Sequence, residues 1–439
     1  MDPRVTKMDG IKEAIASERF HTAFGTVLSV RRDAICFTLP AARVGSLCSV
    51  KTQKGSVPVE VVSLDRAGQT AMPLDDLSSV GLGDVAVLQQ DDSSIGVGDG
   101  LLGKVIDSLG RCYETNNWLP FKTRLPIYGI SSNPMERVPI REAMDLGVRS
   151  INACLTCGRG QRQGIFAGSG VGKSVLLGMM ARYTSADVVV IALVGERGRE
   201  VREFIENELG PEGRKKSVVV VETAEKSAVR RVRGAYAATT IAEYFRSQGK
   251  HVLLMMDSLT RFAMAQREIG MAAGEPPTTK GYTPSVFTSL SRLIERAGNF
   301  GEAGSITGLY TVLVEGDDLE DPVADAARAI LDGHIILSRR LANRGHFPAV
   351  DVLGSVSRVM DQVTQKTQRV WSNKLKEVLA RYRENEDAIL YGQYLKGTDG
   401  RVDECIELEP RITGFLRQDR SEQCPFTESG KQLQTVFGN

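Results

Sequence analysis

The stretch IFAGSGVGKSVLLGMMAR (165–182) decides the fold of this chain of 439 residues. An apolar, strand-like segment leads through a glycine-rich turn into a helix-forming segment, which is the context of a phosphate-binding loop. The glycines let the backbone turn so that successive N–H groups point inward, and the helix beginning near Gly172 adds its positive end. We therefore predict that a nucleotide's phosphates are held by Gly168, Ser169, Gly170, Val171, Gly172, Lys173, Ser174 and Val175.

Two side chains at the start of this helix are candidates for contacts with the phosphates and their metal. We expect the ammonium group of Lys173 to bridge β- and γ-phosphate oxygens, and the Ser174 hydroxyl to ligate Mg²⁺. The usual motif begins with glycine, whereas Ala167 stands at that position as a small residue that still permits close packing. The motif thus predicts a nucleotide together with Mg²⁺.

Two carboxylates follow other apolar segments. Asp257 ends HVLLMMD (251–257), and the carboxyl end of a buried parallel strand is where such folds present ligands to a nucleotide and its metal. We expect Asp257 to hold Mg²⁺ through water, although a strand-end cap would look the same. Glu196 follows DVVVIALVG (187–195) and is the candidate to polarise the attacking water, with Arg197 beside it to order this carboxylate or a phosphate.

The pattern of apolar and turn-forming residues along the chain predicts an α/β core between two smaller regions. From about 150 onward, apolar strand segments alternate with helical ones, which predicts a mostly parallel sheet covered by helices on both faces. Before it, short apolar runs between turn formers predict a small β-barrel, and DDSSIGVGDG (91–100) looks like a linker. We assign an N-terminal amphipathic helix to 1–20, the barrel to 21–92, the core to 93–360 and a helical domain to 361–439.

The composition excludes several classes of protein. Apolar residues make up 42% and charged residues 25%, and the net charge of +1 provides no basic field for nucleic acid. No apolar run approaches the roughly 20 residues that span a bilayer. The first residues, MDPRVTKMDGIKEAI, lack the apolar core of a signal peptide, so we expect a cytoplasmic protein. Seven scattered cysteines fit reduced thiols.

The segments that carry these motifs resemble the rotary-type ATPases, the family of the catalytic subunits of F- and V-type ATP synthases. Within it they are most similar to the ATPases of type III protein export, in flagella and injectisomes. The resemblance covers most of 150–360, and the barrel and the C-terminal helices fit the same family. Besides the phosphate loop, it is carried by LVGERGREVREFIE, LLMMDSLTRFAMAQREIGMAAGEPP, TVLVEGDDLEDPVAD and ILDGHIILSRRLANRGHFPAVDVLGSVSRVM.

The resemblance implies a RecA-like core and roles that the residues alone do not give. Arg358, in SVSR, matches the arginine finger that reaches into a neighbouring subunit's site. Phe347, in HFPAVD, matches the aromatic residue that stacks on adenine, where the residues alone indicate core packing. The segment 274–287 resembles the loop that faces the central pore of a ring. The N-terminal helix matches the region that meets a stator-like regulator and the membrane.

These implications lead to one main hypothesis. The chain is expected to hydrolyse ATP with Mg²⁺ as a homohexamer that energises unfolding, chaperone release and export of proteins through a type III secretion system, flagellar rather than injectisome. The implied partners are further copies of the chain, the regulator, a central stalk-like protein, chaperones and substrates, and the export gate at the cytoplasmic face of the inner membrane. The presence of Lys173, Glu196, Asp257 and Arg358 in one chain favours a self-sufficient ring.

Two alternatives stay open. A catalytic subunit of an ion-translocating rotary ATPase would need a partner chain, and 361–439 lacks the acidic DELSEED-type signature of synthase β chains. An RNA-translocating hexamer would share the core fold and carry exposed aromatic and basic residues on its barrel. The barrel region here has few aromatic residues, Phe24 and Phe37, and sparse positive charge, so we expect no nucleic acid partner.

Overall fold

The computed structural model describes residues 23–90, 93–129, 133–314, 316, 318 and 320–438. The predicted helix at 1–20 lies outside these residues. The chain divides into two compact units, one formed by the residues up to Ser93 with Glu268–Glu275, the other by Ser94–Arg267 and the residues from Pro276 onward. None of the helices in the described part of the chain is both long and apolar enough to cross a membrane.

The first unit contains a closed barrel, as the sequence predicts. Its strands alternate between buried and exposed positions, and inward residues such as Phe37, Val50 and Val59 form a core of their own. The strands are β1 (Phe24–Val30), β2 (Ile35–Thr38), β3 (Leu47–Thr52), β4 (Gly55–Asp65), β5 (Gly68–Pro73) and β6 (Val85–Gln90). Neighbouring strands are antiparallel, in the order β1-β2-β5-β4-β3-β6 with β6 closing on β1.

The second unit is built on a mostly parallel sheet. Every residue of its strands Val188–Val194 and Ser217–Glu222 is buried, as expected for strands covered on both faces. The strands of this unit are β7 (Ser94–Val97), β8 (Val105–Ile106), β9 (Thr123–Pro126), β10 (Ala143–Met144), β11 (Cys157–Gly158), β12 (Arg162–Ala167), β13 (Val188–Val194), β14 (Ser217–Glu222), β15 (His251–Asp257), β16 (Gly298–Asn299), β17 (Ser305–Leu313), β18 (Gly333–Leu337) and β19 (Val356–Ser357). The sheet order is β19-β18-β12-β17-β15-β13-β14-β8, with β16 beside β17. Among the described strands of this sheet, only β16 and β19 run antiparallel to their neighbours.

Helices cover this sheet and make up the C-terminal region. They are α1 (Arg149–Cys154), α2 (Lys173–Tyr183), α3 (Gly198–Glu203), α4 (Gly210–Lys215), α5 (Ala228–Ser247), α6 (Leu259–Ala272), α7 (Pro284–Ile294), α8 (Pro322–Ile330), α9 (Arg339–Asn343), α10 (Met360–Val363), α11 (Lys366–Leu390), α12 (Gly400–Leu416) and α13 (Phe426–Phe437). A π-helical turn, Phe204–Leu209, joins α3 to α4. The predicted helical C-terminus is thus confirmed, and Leu375, Ile412 and Leu433 share one hydrophobic core with Leu176 of α2.

The predicted linker at 91–100 is partly wrong. Residues Ser94–Val97 form β7, which pairs antiparallel with β9, and Ile95 and Val97 are buried. The serine, aspartate and glycine residues around them are typical of a linker. The pairing partner lies far along the chain, so local composition gives no sign of it.

The sheet explains why the predicted site residues come together. Carboxyl ends of parallel strands meet at one edge, which is where open α/β sheets bind ligands. The phosphate loop leaves β12, Glu196 follows β13, and Asp257 ends β15 opposite Leu193 of the neighbouring β13.

Candidate nucleotide-binding site

The phosphate loop connects β12 to α2 through a backbone that only glycine adopts readily. Gly170 and Gly172 have φ angles of 77° and 85°, in the left-handed region. Val171 is 1% exposed and anchors the loop, whereas Ser169, Gly170 and the Ser174 side chain at the start of α2 face solvent. The loop therefore offers its backbone and the first turn of a helix to an anion, as predicted.

Lys173 lies between the two predicted carboxylates. Its Nζ is 2.5 Å from Oδ1 of Asp257 and 3.5 Å from Oε1 of Glu196, and the exposed fractions of the three side chains are 13%, 7% and 13%. Burial alone would lower the pKa of Lys173, but the charges of Asp257 and Glu196 outweigh it and raise the pKa above its usual range. Lys173 is therefore a cation in this cluster.

Glu196 differs from Asp257 in its longer contact with Lys173, whose Nζ lies 3.5 Å from Oε1 of Glu196. Its Oε1 is buried without a hydrogen-bond partner among the described residues. Burial and the charge of Asp257 raise the pKa of Glu196 to about 7, against the opposing effect of Lys173. A carboxylate that titrates near neutral pH has the pKa expected of a general base.

Thr311 holds Asp257 from the other side and was missed by the sequence reasoning. Its hydroxyl donates to Oδ1 of Asp257 at 2.6 Å and lies 3.2 Å from the carbonyl oxygen of Met256. Thr311 is fully buried in β17, the strand next to β15. The one signal in the sequence is a hydroxyl residue within an apolar strand, and it gains meaning only once the order of the strands is known.

Arg339 supports the phosphate loop and was also missed. Its Nη1 donates to the carbonyl oxygen of Ser169 at 3.2 Å. This contact ties the backbone of the loop to the first residue of α9.

The two predicted arginines lie outside the Lys173 cluster. The side chain of Arg197 is 82% exposed and forms an ion pair with Glu200 at 3.7 Å. Arg358 is exposed as well, and its Nη2 lies 3.4 Å from the carbonyl oxygen of Arg328. Within the described residues, no hydrogen bond or ion pair joins either arginine to the three clustered side chains.

A cavity of about 300 Å³ adjoins the phosphate loop. Phe347, predicted to stack on a base, is 45% exposed rather than packed in the core, and a Cβ atom on Gly172 would lie 3.4 Å from its ring. The C-terminal region supplies one wall through residues 418–420, which the sequence reasoning missed. The lining residues are Gly172, Val175, Leu176, Met179, Phe347, Pro348, Gln418, Asp419 and Arg420.

The side chains present fit a Mg²⁺ ion held jointly with phosphates. Mg²⁺ takes oxygen ligands, keeps several waters and is usually bound by few protein groups plus substrate phosphates. Ser174 offers an exposed hydroxyl and Asp257 a carboxylate. The described ranges contain no group of three or more histidine, cysteine or acidic side chains arranged for a metal, so phosphate and water would complete the coordination.

Comparisons with known proteins extend these observations over nearly the whole chain. The family described as ATP synthase alpha/beta family, nucleotide-binding domain, matches residues 147–357, and the T3SS EscN ATPase C-terminal domain matches 364–435. The chain is 52% identical to the flagellum-specific ATP synthase of Bacillus subtilis (strain 168), covering 91% of this chain and 92% of the relative. It is 45% identical to the type 3 secretion system ATPase of Sinorhizobium fredii (strain NBRC 101917 / NGR234), covering 95% and 92%.

Two solved structures of one type III secretion ATPase are similar to this chain over nearly its whole length. The assembled ATPase EscN from the enteropathogenic E. coli type III secretion system has a TM-score of 0.89 at 43% identity and covers 94% of this chain and 99% of EscN. EscN in complex with its central stalk EscO has a TM-score of 0.86 at 42% identity, with coverage of 94% and 99%.

Proposed function

Because the chain belongs to the type III export ATPases of the ATP synthase α/β family, we propose that it works as a Mg²⁺-dependent homohexameric ring in flagellar protein export. It is an ATP-hydrolysing ATPase of protein secretion. The flagellar assignment is supported by the higher identity to the flagellum-specific relative than to the type 3 secretion system relative. The ion-translocating alternative has less support.

The grouping of Lys173, Asp257 and Glu196 beside the phosphate loop carries the proposed chemistry. Lys173 would leave Asp257 and bind β- and γ-phosphate oxygens instead. Ser174 and Asp257 would hold Mg²⁺, which would neutralise charge on the phosphates. Glu196 would align a water whose oxygen attacks the γ-phosphorus and would accept its proton, while the bond to the β–γ bridging oxygen breaks.

The remaining predicted residues take their roles from the family. Phe347 would stack on adenine at the cavity beside Gly172, and Arg197 would order Glu196 or a phosphate after its exposed side chain turns inward. Arg358 is exposed and separate from the cluster of its own chain, which supports action as a finger in a neighbouring subunit. A self-sufficient ring of identical chains follows from that role.

The partners follow by analogy. EscN binds a central stalk, EscO, and we propose that this chain binds a comparable stalk-like protein. The regulator at the N-terminal helix, the chaperones, the export substrates and the export gate remain predictions. They would place the ring in the cytoplasm, peripheral to the inner membrane.

The first experiment is specific ATPase activity against protein concentration, with Mg²⁺ and saturating ATP. A rise per molecule with concentration supports sites completed by assembly. A flat rate near zero contradicts the self-sufficient ring and favours a subunit that needs a partner chain. If the rate is flat and appreciable, mass photometry at the same concentrations separates a ring that stays assembled from a site complete in one chain. Complementation of strains lacking either the flagellar or the injectisome ATPase tests the flagellar assignment.

A further inference from the structure

A buried carboxylate of the C-terminal helical region binds two arginines that shortly precede Phe347 in the sequence. Glu386 of α11 accepts from Nη2 of Arg340 at 2.9 Å and from Nη1 of Arg344 at 2.7 Å. Arg340 belongs to α9, and Arg344 follows this helix directly. We call Glu386, Arg340 and Arg344 the arginine clamp.

The clamp is anchored on the side of α11. Glu386 is 7% exposed, whereas the side chains of Arg340 and Arg344 are 49% and 53% exposed. Hydrogen bonds between ionised partners are stronger than neutral ones, and two guanidinium groups compensate the burial of one carboxylate. Glu386 is therefore the fixed point to which the two arginines are held.

A tight turn connects the clamp arginines to Phe347. The N–H of Gly345 donates to the carbonyl of Ala342, and the N–H of His346 donates to that of Leu341, both at 3.0 Å. The next residue is Phe347, whose carbonyl oxygen accepts from the N–H of Gln418 at 3.0 Å. The backbone of Phe347 is thus bonded to Gln418 and directly follows the turn that begins at the clamp arginines.

We propose that Glu386 is a positioning residue for ATP: through Arg340 and Arg344 it keeps the Phe347 ring in place for the base. Glu386 does not line the cavity beside Gly172; it lines a separate cavity of about 80 Å³ together with both clamp arginines. The inference rests on the proposed function of Phe347 and deepens it, since it makes a C-terminal helix a determinant of base affinity. Loss of the clamp should weaken recognition of the base and spare recognition of the phosphates.

The test compares a ligand that has a base with one that lacks it. In the full-length Glu386→Gln protein with Mg²⁺, the Kd for ATP should rise about tenfold, which corresponds to the loss of one well-placed contact. The Kd for inorganic tripolyphosphate should stay within about twofold, and the KM for ATP should rise with kcat unchanged. Glu384→Gln, the same change at an exposed position of the same helix, is the matched control and should leave both Kd values unaltered.

A second set of variants keeps the test decisive if Glu386→Gln destabilises the protein. The double variant Arg340→Gln/Arg344→Gln keeps Glu386 and changes only half-exposed side chains, and it should raise the ATP Kd as Glu386→Gln does. Adding Glu386→Gln to this double variant should have no further effect on the ATP Kd, because the hydrogen bonds of Glu386 to the two arginines are already lost. An unchanged ATP Kd in Glu386→Gln, or equal weakening of ATP and tripolyphosphate, overturns the proposal. Phe347→Ala separates the positioning role of Glu386 from the proposed function of Phe347. If Phe347→Ala binds ATP like the wild type, the stacking role fails. If Phe347→Ala binds ATP more weakly but Glu386→Gln binds it like the wild type, the positioning role fails.

Discussion

Nζ of Lys173 lies 2.5 Å from Oδ1 of Asp257, so the residue proposed to bind phosphate is paired with the residue proposed to hold Mg²⁺. Both side chains are mostly buried, and each compensates the charge of the other. When Mg-ATP binds, the phosphates would take Lys173 and the metal would take Asp257. Nucleotide binding is then an exchange of ion pairs.

Lys173→Ala should abolish tight nucleotide binding. The variant removes the cation that the phosphates need and leaves Asp257 and Glu196 as neighbouring buried anions, which raises the pKa of Glu196 further. Titration with a fluorescent ATP analogue measures the effect. Lys215→Ala, at an exposed ion pair with Glu212, is the control for a lost lysine. An unchanged affinity of Lys173→Ala for the ATP analogue would show that Lys173 does not bind the phosphates.

Glu196→Gln should bind ATP and lose turnover by about 10² or more, the range for a positioned general base. The amide preserves shape and hydrogen bonding but cannot accept the proton of water. Single-turnover hydrolysis in a quench-flow instrument, beside equilibrium ATP binding, separates the two effects. Turnover at the wild-type rate would assign the base to another residue. Glu206→Gln, in the exposed ion pair with Arg202, is a nearby control.

The ionisation of Glu196 predicts a pH profile. Since burial and Asp257 raise its pKa to about 7, kcat/KM should fall below about pH 7 as the base becomes protonated. The protonation of Glu196 also affects stability. At pH values between the ordinary pKa of a glutamate and about 7, the folded protein binds more protons than the unfolded one, so its free energy of unfolding falls as the pH rises. Glu196→Gln should therefore melt higher than the wild type at pH 8, with a smaller difference at pH 5. A kcat/KM that stays flat from pH 5.5 to 8 would contradict this assignment.

The sequence predicted most of the fold and the core of the site for a shared physical reason. Apolar strands that alternate with helices favour a parallel sheet, and the carboxyl ends of its strands place Lys173, Glu196 and Asp257 at the same edge. Phe347 and Arg358 required the family resemblance, because the residues around Phe347 indicate only core packing and those around Arg358 form no motif that spacing alone can interpret.

What the sequence could not predict depends on contacts between distant segments. Thr311 can bond to Asp257 because β17 pairs with β15. Residues 418–420 reach the cavity because α12 and α13 pack on the core. Arg197 follows Glu196 directly, yet its side chain turns outward to Glu200. Adjacency in sequence did not bring it into the cluster.

Thr311→Val should weaken the use of Mg²⁺. Valine keeps the shape of the buried side chain but removes the hydrogen bond at 2.6 Å to Asp257, leaving this carboxylate less firmly oriented. The Mg²⁺ concentration for half-maximal ATPase should rise about tenfold, by analogy with partners that orient metal-binding groups. Thr311→Ser, which restores the hydroxyl, should recover the wild-type value. Equal Mg²⁺ dependence in both variants would limit Thr311 to packing.

Mixing two inactive variants tests whether Arg358 acts between subunits. Arg358→Ala should bind nucleotide and lose turnover, and Lys173→Ala should supply intact fingers without binding nucleotide. In a ring of head-to-tail interfaces, random mixing in equal amounts joins an intact Lys173 to an intact Arg358 at about a quarter of the interfaces. Activity should therefore reappear in mixtures and peak near equal proportions, although each variant alone is inactive. Mixed rings that are seen by native mass spectrometry but stay inactive at every ratio would show that the finger does not act between chains.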